Sequence, residues 1–159
     1  MRRPWILDYE TANCTIAATV GITGERWTFL VLREVFNGIR RFDDMQRRTQ
    51  APRQILSDRL TRLVRQGLLR KVPYQELGQR SRREYRLTDK GLDLYPVLVA
   101  LMQWGDQHAA GPAGPQARLT HRDCGQPVRL QLTCAGGHAL SSARDVTPLP
   151  GPGARRIAS

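Results

Sequence analysis

Apolar residues recur along the first two thirds of this chain at helical spacing, interrupted once by a pair of short alternating runs. Between Trp27 and Phe36, the side chains of Trp27, Leu30, Val31 and Val35 share one helical face, while Phe29, Leu32 and Phe36 cover much of the opposite one. This predicts a helix that opens after Gly24-Glu25, stops at Asn37-Gly38 and sits near the middle of the core, because a helix apolar on most sides needs cover on most sides. Upstream, Ile16 and Val20 predict a shorter helix starting near Cys14. Asp43-Asp44-Met45 begins a brief helix whose acids fall in the first turn, where the helix dipole favours them.

Pro52 suits the first position of a further helix running to Gln66, with Gly67 as its stop. Leu56, Leu60, Leu63 and Val64 make one narrow apolar stripe, Gln54, Ser57, Asp58, Thr61 and Arg65 occupy the opposite face, and Arg53 projects from the first turn. Two short helices joined by a tight turn, the second amphipathic and basic at its entrance, form a helix-turn-helix. After Gly67, Leu68 to Tyr74 and Arg82 to Leu87 read as two strands, with Leu69, Tyr85 and Leu87 available to bury. The connection Gln75-Glu76-Leu77-Gly78-Gln79-Arg80-Ser81 is polar and carries an arginine, as the tip of a wing does when it reaches a neighbouring minor groove.

Thr88 serves as N-cap for a helix to about His108 that Pro96 kinks or breaks. Leu92, Tyr95, Val99 and Met102 line one face, Leu94, Leu98 and Leu101 a second, and Trp104 adds a third position. That is more apolar surface than one small domain covers, which predicts a face shared with a second subunit over one buried within the monomer. The fold class expected is therefore mainly α with a small β-hairpin wing (α+β): a dimeric winged helix-turn-helix with a small C-terminal zinc-ribbon-like or irregular extension. The composition shifts to Gly, Pro and Ala from Gly111, which divides the chain into a DNA-binding and dimerisation domain (1–110), a Gly/Pro linker (111–118), a small Cys/His-containing appendage (119–147) and a disordered tail (148–159).

Composition narrows the classes. In 159 residues, 40% hydrophobic and 25% charged usage excludes a wholly disordered chain, and the longest apolar stretch, Val97 to Met102, excludes a transmembrane helix. The N-terminus turns acidic at Asp8 and Glu10 before any apolar signal segment forms, so a cytoplasmic protein is expected. Net charge is +11, and Lys71 and Lys90 are the only lysines. Residues 40–86 hold 14 basic against five acidic side chains, a net +9 in under a third of the chain. On charge alone such a run is either a solvated basic face or a nucleic-acid-binding one. Enzyme chemistry finds little support: His108, His121 and His138 lie far in sequence from Cys14, and Gly21-Ile22-Thr23-Gly24 lacks the lysine of a phosphate loop.

With these elements in place, residues 14–109 resemble the HxlR-type family of bacterial winged helix-turn-helix regulators. The resemblance rests on a lone cysteine ahead of Gly24-Glu25-Arg26-Trp27-Thr28, then Leu32-Arg33-Glu34, Arg41-Phe42, Ile55-Leu56-Ser57-Asp58-Arg59-Leu60, Gly67-Leu68 and Tyr85-Arg86-Leu87-Thr88-Asp89-Lys90-Gly91, followed by Pro96 and Trp104. It implies a homodimer that binds double-stranded operator DNA, usually as a repressor, with dimer contacts from the first and last helices. Two positions depart from the family pattern: Ala51 replaces a serine before the recognition-helix proline, and Thr15 replaces a proline after the cysteine.

On this reading Arg53, Gln54, Ser57, Asp58 and Thr61 meet bases and nearby phosphates, Arg62 and Arg65 meet phosphates, and Arg80, Arg82 and Arg83 serve the wing. Arg59 lies nearer the core side and is expected to be a structural ion-pair residue. Ile16, Val20, Leu94, Leu98, Leu101 and Trp104 are the expected dimer residues, and the operator is expected to be a near-palindrome with half-sites about 34 Å apart or a multiple of that. The alternative is a protein-interaction dimerisation module without sequence-specific DNA binding, which gives no reason for the arginines. A small-molecule or oxidant effector belongs with the expected partners: Cys14, close to a helix start, is either an oxidant or electrophile sensor or a small hydrophobe at the dimer seam. In the appendage, His121-x2-Cys124 and Cys134-x3-His138 lie nine residues apart. Two imidazoles and two thiolates could hold one zinc ion, or be relics of a ribbon that packing alone now holds.

Overall fold

The protein is described here from a computed structural model covering residues 8–78 and 80–157; residues 1–7, Gln79 at the expected wing tip and the last two residues of the tail lie outside it. The chain divides into two compact units, one of residues 23–130 and the other of residues 8–22 with 131–157.

In the first unit, α2 (Arg26–Phe36) is the central element, with α3 (Phe42–Thr49), α4 (Arg53–Arg65), strand β2 (Arg82–Leu87) and α6 (Tyr95–His108) all packed against it. Val31 and Leu32 are fully buried, as an apolar pattern on two faces requires. Gly38, at φ +83°, supplies the left-handed residue that closes α2. Between α3 and α4 the turn runs through Gln50, also left-handed at φ 59°, and the buried Thr49, whose hydroxyl donates to the Met45 carbonyl at 2.7 Å. Pro52 stands at the N-cap of α4, one position before the expected first turn, and makes no side-chain cap. An oxygen-bearing cap contributes about 0.5–2 kcal/mol. Here α4 is held by burial of Leu56, Leu60 and Leu63 instead.

Strands β1 (Leu69–Tyr74) and β2 (Arg82–Leu87) pair antiparallel from Leu69↔Leu87 to Tyr74↔Arg82. Leu69 is buried, while Tyr85 and Leu87 are half-buried. The Thr88 hydroxyl accepts from the Gly91 amide at 3.1 Å, the expected cap, and donates to the Gly67 carbonyl at 2.6 Å. The helix expected from there to His108 is two helices, α5 (Asp89–Leu92) and α6 (Tyr95–His108), with Pro96 in the first turn of the second. The break falls before the proline because the ring is compatible with a helix start but not with the residue four back. On α6, Val99 is buried, Leu98 and Met102 are half-buried, as is Leu94 at its N-cap, and Tyr95, Val97, Leu101 and Trp104 are exposed.

The chain then folds back. Residues 119–128 form a small hairpin, with Val128 N–H on the Leu119 carbonyl at 2.9 Å. The Gln103 carboxamide of α6 donates to the Val128 carbonyl and accepts from the Leu130 amide, both at 3.0 Å. The appendage expected over 119–147 is thus divided, its first part joining the helical unit.

The second unit contains nearly all of α1 (Thr15–Thr23), the two-residue strands β3 (Leu132–Thr133) and β4 (Ala139–Leu140), and a 3-10 turn at Ala143–Asp145. Asp145 accepts from the Ser141 and Ser142 amides, which holds its carboxyl below the usual carboxylate range. The tail expected to be disordered is instead paired through its backbone: Glu10 N–H meets the Arg155 carbonyl at 2.8 Å and Ile157 N–H the Asp8 carbonyl at 2.9 Å. Main-chain pairing needs no large side chains, so a Pro/Gly-rich composition concealed it.

Candidate nucleic-acid interface

With Leu56, Leu60 and Leu63 turned inward, helix periodicity turns Arg53, Gln54, Ser57, Asp58, Thr61 and Arg65 outward, and all six are exposed. Gln54 donates to Asp58 across one turn at 2.9 Å. The Arg53 guanidinium lies 4.8 Å above the Phe42 ring and 3.6 Å from Asp43, yet its side chain remains 71% exposed. Not every arginine of α4 is available. Glu25, the residue before α2, takes Arg59 at 2.5 Å and Arg62 at 3.2 Å. Arg59 is the expected ion-pair residue; Arg62, expected on phosphates, is half-buried and engaged by the same carboxylate.

At the wing, Arg80, Arg82 and Arg83 are exposed. Its base is strapped to the start of α3. Arg41 pairs with Glu76 at 2.5 Å and stacks over Tyr74 at 4.5 Å, and the hydrogen bond to Glu76 raises the guanidinium's already high pKa. Tyr85 N–H also reaches the Arg40 carbonyl at 2.8 Å. A polar cleft of about 300 Å³ results, lined by Arg41, Arg47, Arg82 and Arg83 against Asp43 and Asp44, with Phe42 and Tyr74 as walls. Phe42 and Asp43 are the residues Arg53 touches, so the entrance of α4 and the base of the wing flank one short stretch of α3.

Beneath this surface lies a charge that the sequence reading did not single out. Glu34 is fully buried within α2, and its carboxylate takes Arg33 at 2.5 Å on one oxygen and Arg48 on the other. Arg48 belongs to α3, so the contact fixes α3 on α2. An acid in the middle of an apolar helix, one residue after an arginine, was the signal for it.

The remaining expected sites are not gathered here. Ile16 and Val20 are exposed on α1, and Cys14, half-buried, directly precedes that helix. Each Cys/His pair of the appendage closes on itself: His121 Nδ1 lies 3.2 Å from Cys124 Sγ, and Cys134 Sγ 3.4 Å from His138 Nδ1. One pair falls in each compact unit, and among the described residues no three His, Cys, Asp or Glu side chains are grouped to hold a metal ion. Among the described residues no helix is long and apolar enough to cross a membrane.

Comparison with known proteins agrees with this geometry. The profile of the HxlR-like helix-turn-helix family matches residues 22–111. An uncharacterised HTH-type transcriptional regulator of Mycobacterium tuberculosis is 45% identical over 147 residues, 92% of this chain and 92% of the relative. Among solved structures, PA1607, described as a candidate transcription factor, superposes with a TM-score of 0.78 at 38% identity, over 88% of this chain and 96% of that one. PA1374 of Pseudomonas aeruginosa, similarly described, gives a TM-score of 0.60 at 34% identity, over 89% and 95% of the two chains.

Proposed function

Because this chain belongs to the HxlR-like helix-turn-helix family of transcriptional regulators, we propose that it binds a specific operator as a homodimer and represses transcription from it. The observation that carries this reading is the exposed polar face of α4, with Arg53 stacked on Phe42 beside a cleft that Arg82 and Arg83 share. In the major groove, Arg53 and Gln54 are placed on the first turn to read base edges, as the entrance of a recognition helix does. The cleft arginines and Arg65 take phosphates, and Arg80 extends the wing toward the adjacent minor groove.

Apolar residues left exposed on α6 (Leu101 at 50%, Trp104 at 63%) and on α1 (Ile16 at 73%, Val20 at 56%) support a second subunit as their cover. A twofold dimer presents two copies of α4, which fits a near-palindromic operator. The same reading assigns the chain no catalysis and places it in the cytoplasm with its DNA. Cys14 at the start of α1 is the residue through which an oxidant would act; treatment with diamide is expected to weaken DNA binding in the wild type and not in Cys14→Ser.

The test is a mobility shift on duplex DNA over a range of salt. Affinity is expected to fall steeply with salt, with a slope that loses roughly one unit for each phosphate-contacting arginine replaced. No shift at any salt would leave a dimerisation module that uses no DNA, and an affinity unchanged in Arg53→Ala, Gln54→Ala, Arg82→Ala and Arg83→Ala would overturn the assignment of α4 and the wing as the contact surface.

A further inference from the structure

The helical unit retains an apolar groove of about 320 Å³ between α2 and α6. Phe29, Leu30 and Phe36 form one wall, Tyr95 and Leu98 the other, and Leu119 of the folded-back hairpin closes a side. That closure is held in place, because the Gln103 carboxamide grips the main chain at Val128 and Leu130, and Val128 in turn bonds to Leu119.

Besides the Tyr95 hydroxyl, the polar groups of the lining are those of Arg33 and Asn37. Arg33 spends its Nε and Nη2 atoms on Glu34, at 2.7 and 2.5 Å, and leaves the Nη1 edge out of that pair. Glu34 is shared with Arg48, so two guanidinium groups answer one buried carboxylate. A net positive charge therefore remains beside the groove, on a side chain that is 43% exposed. Small-molecule sites combine such an apolar concavity with a few polar groups that fix orientation. A cavity of about 150 Å³ takes one benzene ring, so this volume is on the scale of one or two fused rings.

We propose that this groove is a binding site for a small aromatic monocarboxylate, its ring lying between Phe29, Phe36, Tyr95 and Leu98 and its carboxylate meeting Arg33. A second copy of the chain is the rival occupant, since Leu98 also belongs to the face assigned to the dimer. An apolar helix would fill the flank of the groove and leave the Arg33 end without a counter-charge; an aromatic acid satisfies both. Because α2 also packs against α4, an occupied groove acts on the support of the arginine-bearing helix, a consequence that rests on the DNA-binding reading. Ligand binding itself does not.

Calorimetric titration of the full chain with 2-naphthoate, and with its uncharged methyl ester, tests the site without DNA. The acid is expected to bind saturably at one per chain and about tenfold tighter than the ester, the scale of one charge-assisted contact. Arg33→Gln should abolish that preference; Glu34 keeps Arg48, so the core charge stays paired. Leu119→Ala, on a surface hairpin, should weaken acid and ester alike by about tenfold through lost apolar contact, with the melting temperature as the check on folding. Equal affinity for acid and ester, or full affinity in Leu119→Ala, would overturn the proposal. So would a wild type that binds neither compound while Trp104→Glu, separated into monomers, binds both, for the groove would then be the seam between subunits.

Discussion

Arg53 and Arg59 stand six residues apart on one helix and do opposite work. Arg53 is exposed above Phe42, whereas Arg59, 17% exposed, is held by Glu25. Replacing Arg53 or Gln54 with Ala is therefore expected to lower discrimination between operator and random duplex by about 1–3 kcal/mol each, read from competition binding. Arg82→Ala and Arg83→Ala should weaken both kinds of DNA alike and flatten the salt dependence. Glu34 sets a different expectation, because it is a buried charge with two partners that reach solvent. Removing both, in Arg33→Ala/Arg48→Ala, strands the carboxylate and should cost about 3–5 kcal/mol in urea unfolding. A loss under about 1 kcal/mol would show that the buried acid needs neither arginine.

Among the elements, the α5 junction and the wing make the sharpest demands. A Cβ at Gly91 would fall on the Leu68 carbonyl oxygen, where backbone cannot give way cheaply, so Gly91→Ala should cost about 1–3 kcal/mol and lower the melting temperature. In the wing, Glu76→Gln removes the strap to Arg41. Amide exchange over residues 75–81 should accelerate, while global stability changes by less than about 1 kcal/mol because the pair is exposed. How legible these elements were in the sequence follows from what each depends on. Helices α2 and α4 were readable because Leu56, Leu60 and Leu63 recur at helical period and Gly38 and Gly67 mark the ends. The outward face of α4 followed from the same period. Contacts distant in sequence left no such trace: Glu25 on Arg59, Arg41 on Glu76, and Gln103 on residues 128–130 each depend on how elements meet. Pro52 at the cap and the break before Tyr95 are boundary shifts of one or a few residues, where local propensity is weakest. Arg62, expected on phosphates, shows the limit of such a reading, which could not foresee a carboxylate shared with Arg59.

At the scale of the whole molecule, the proposed operator binding requires two copies of α4 held at a fixed spacing. Leu98→Glu is expected to separate the subunits in sedimentation and to lose tight binding with them, since neither half-site alone retains the avidity of the pair. A wild type that sediments as a monomer at micromolar concentration would instead require α6 to be covered within the chain. Within the second unit, residues 8–10 and 155–157 are paired through their backbones, with Tyr9 bridged to Arg156. The most direct measurement of the central claim is selection of the full-length protein's preferred sites from a pool of random duplex DNA at physiological salt. The account predicts enrichment of one near-palindrome whose half-sites are centred about 34 Å apart or a multiple of that, with base preference relaxed at one position per half-site in Gln54→Ala. A pool that returns unenriched, or enriched equally by wild type and an Arg53→Ala/Gln54→Ala variant, would contradict it.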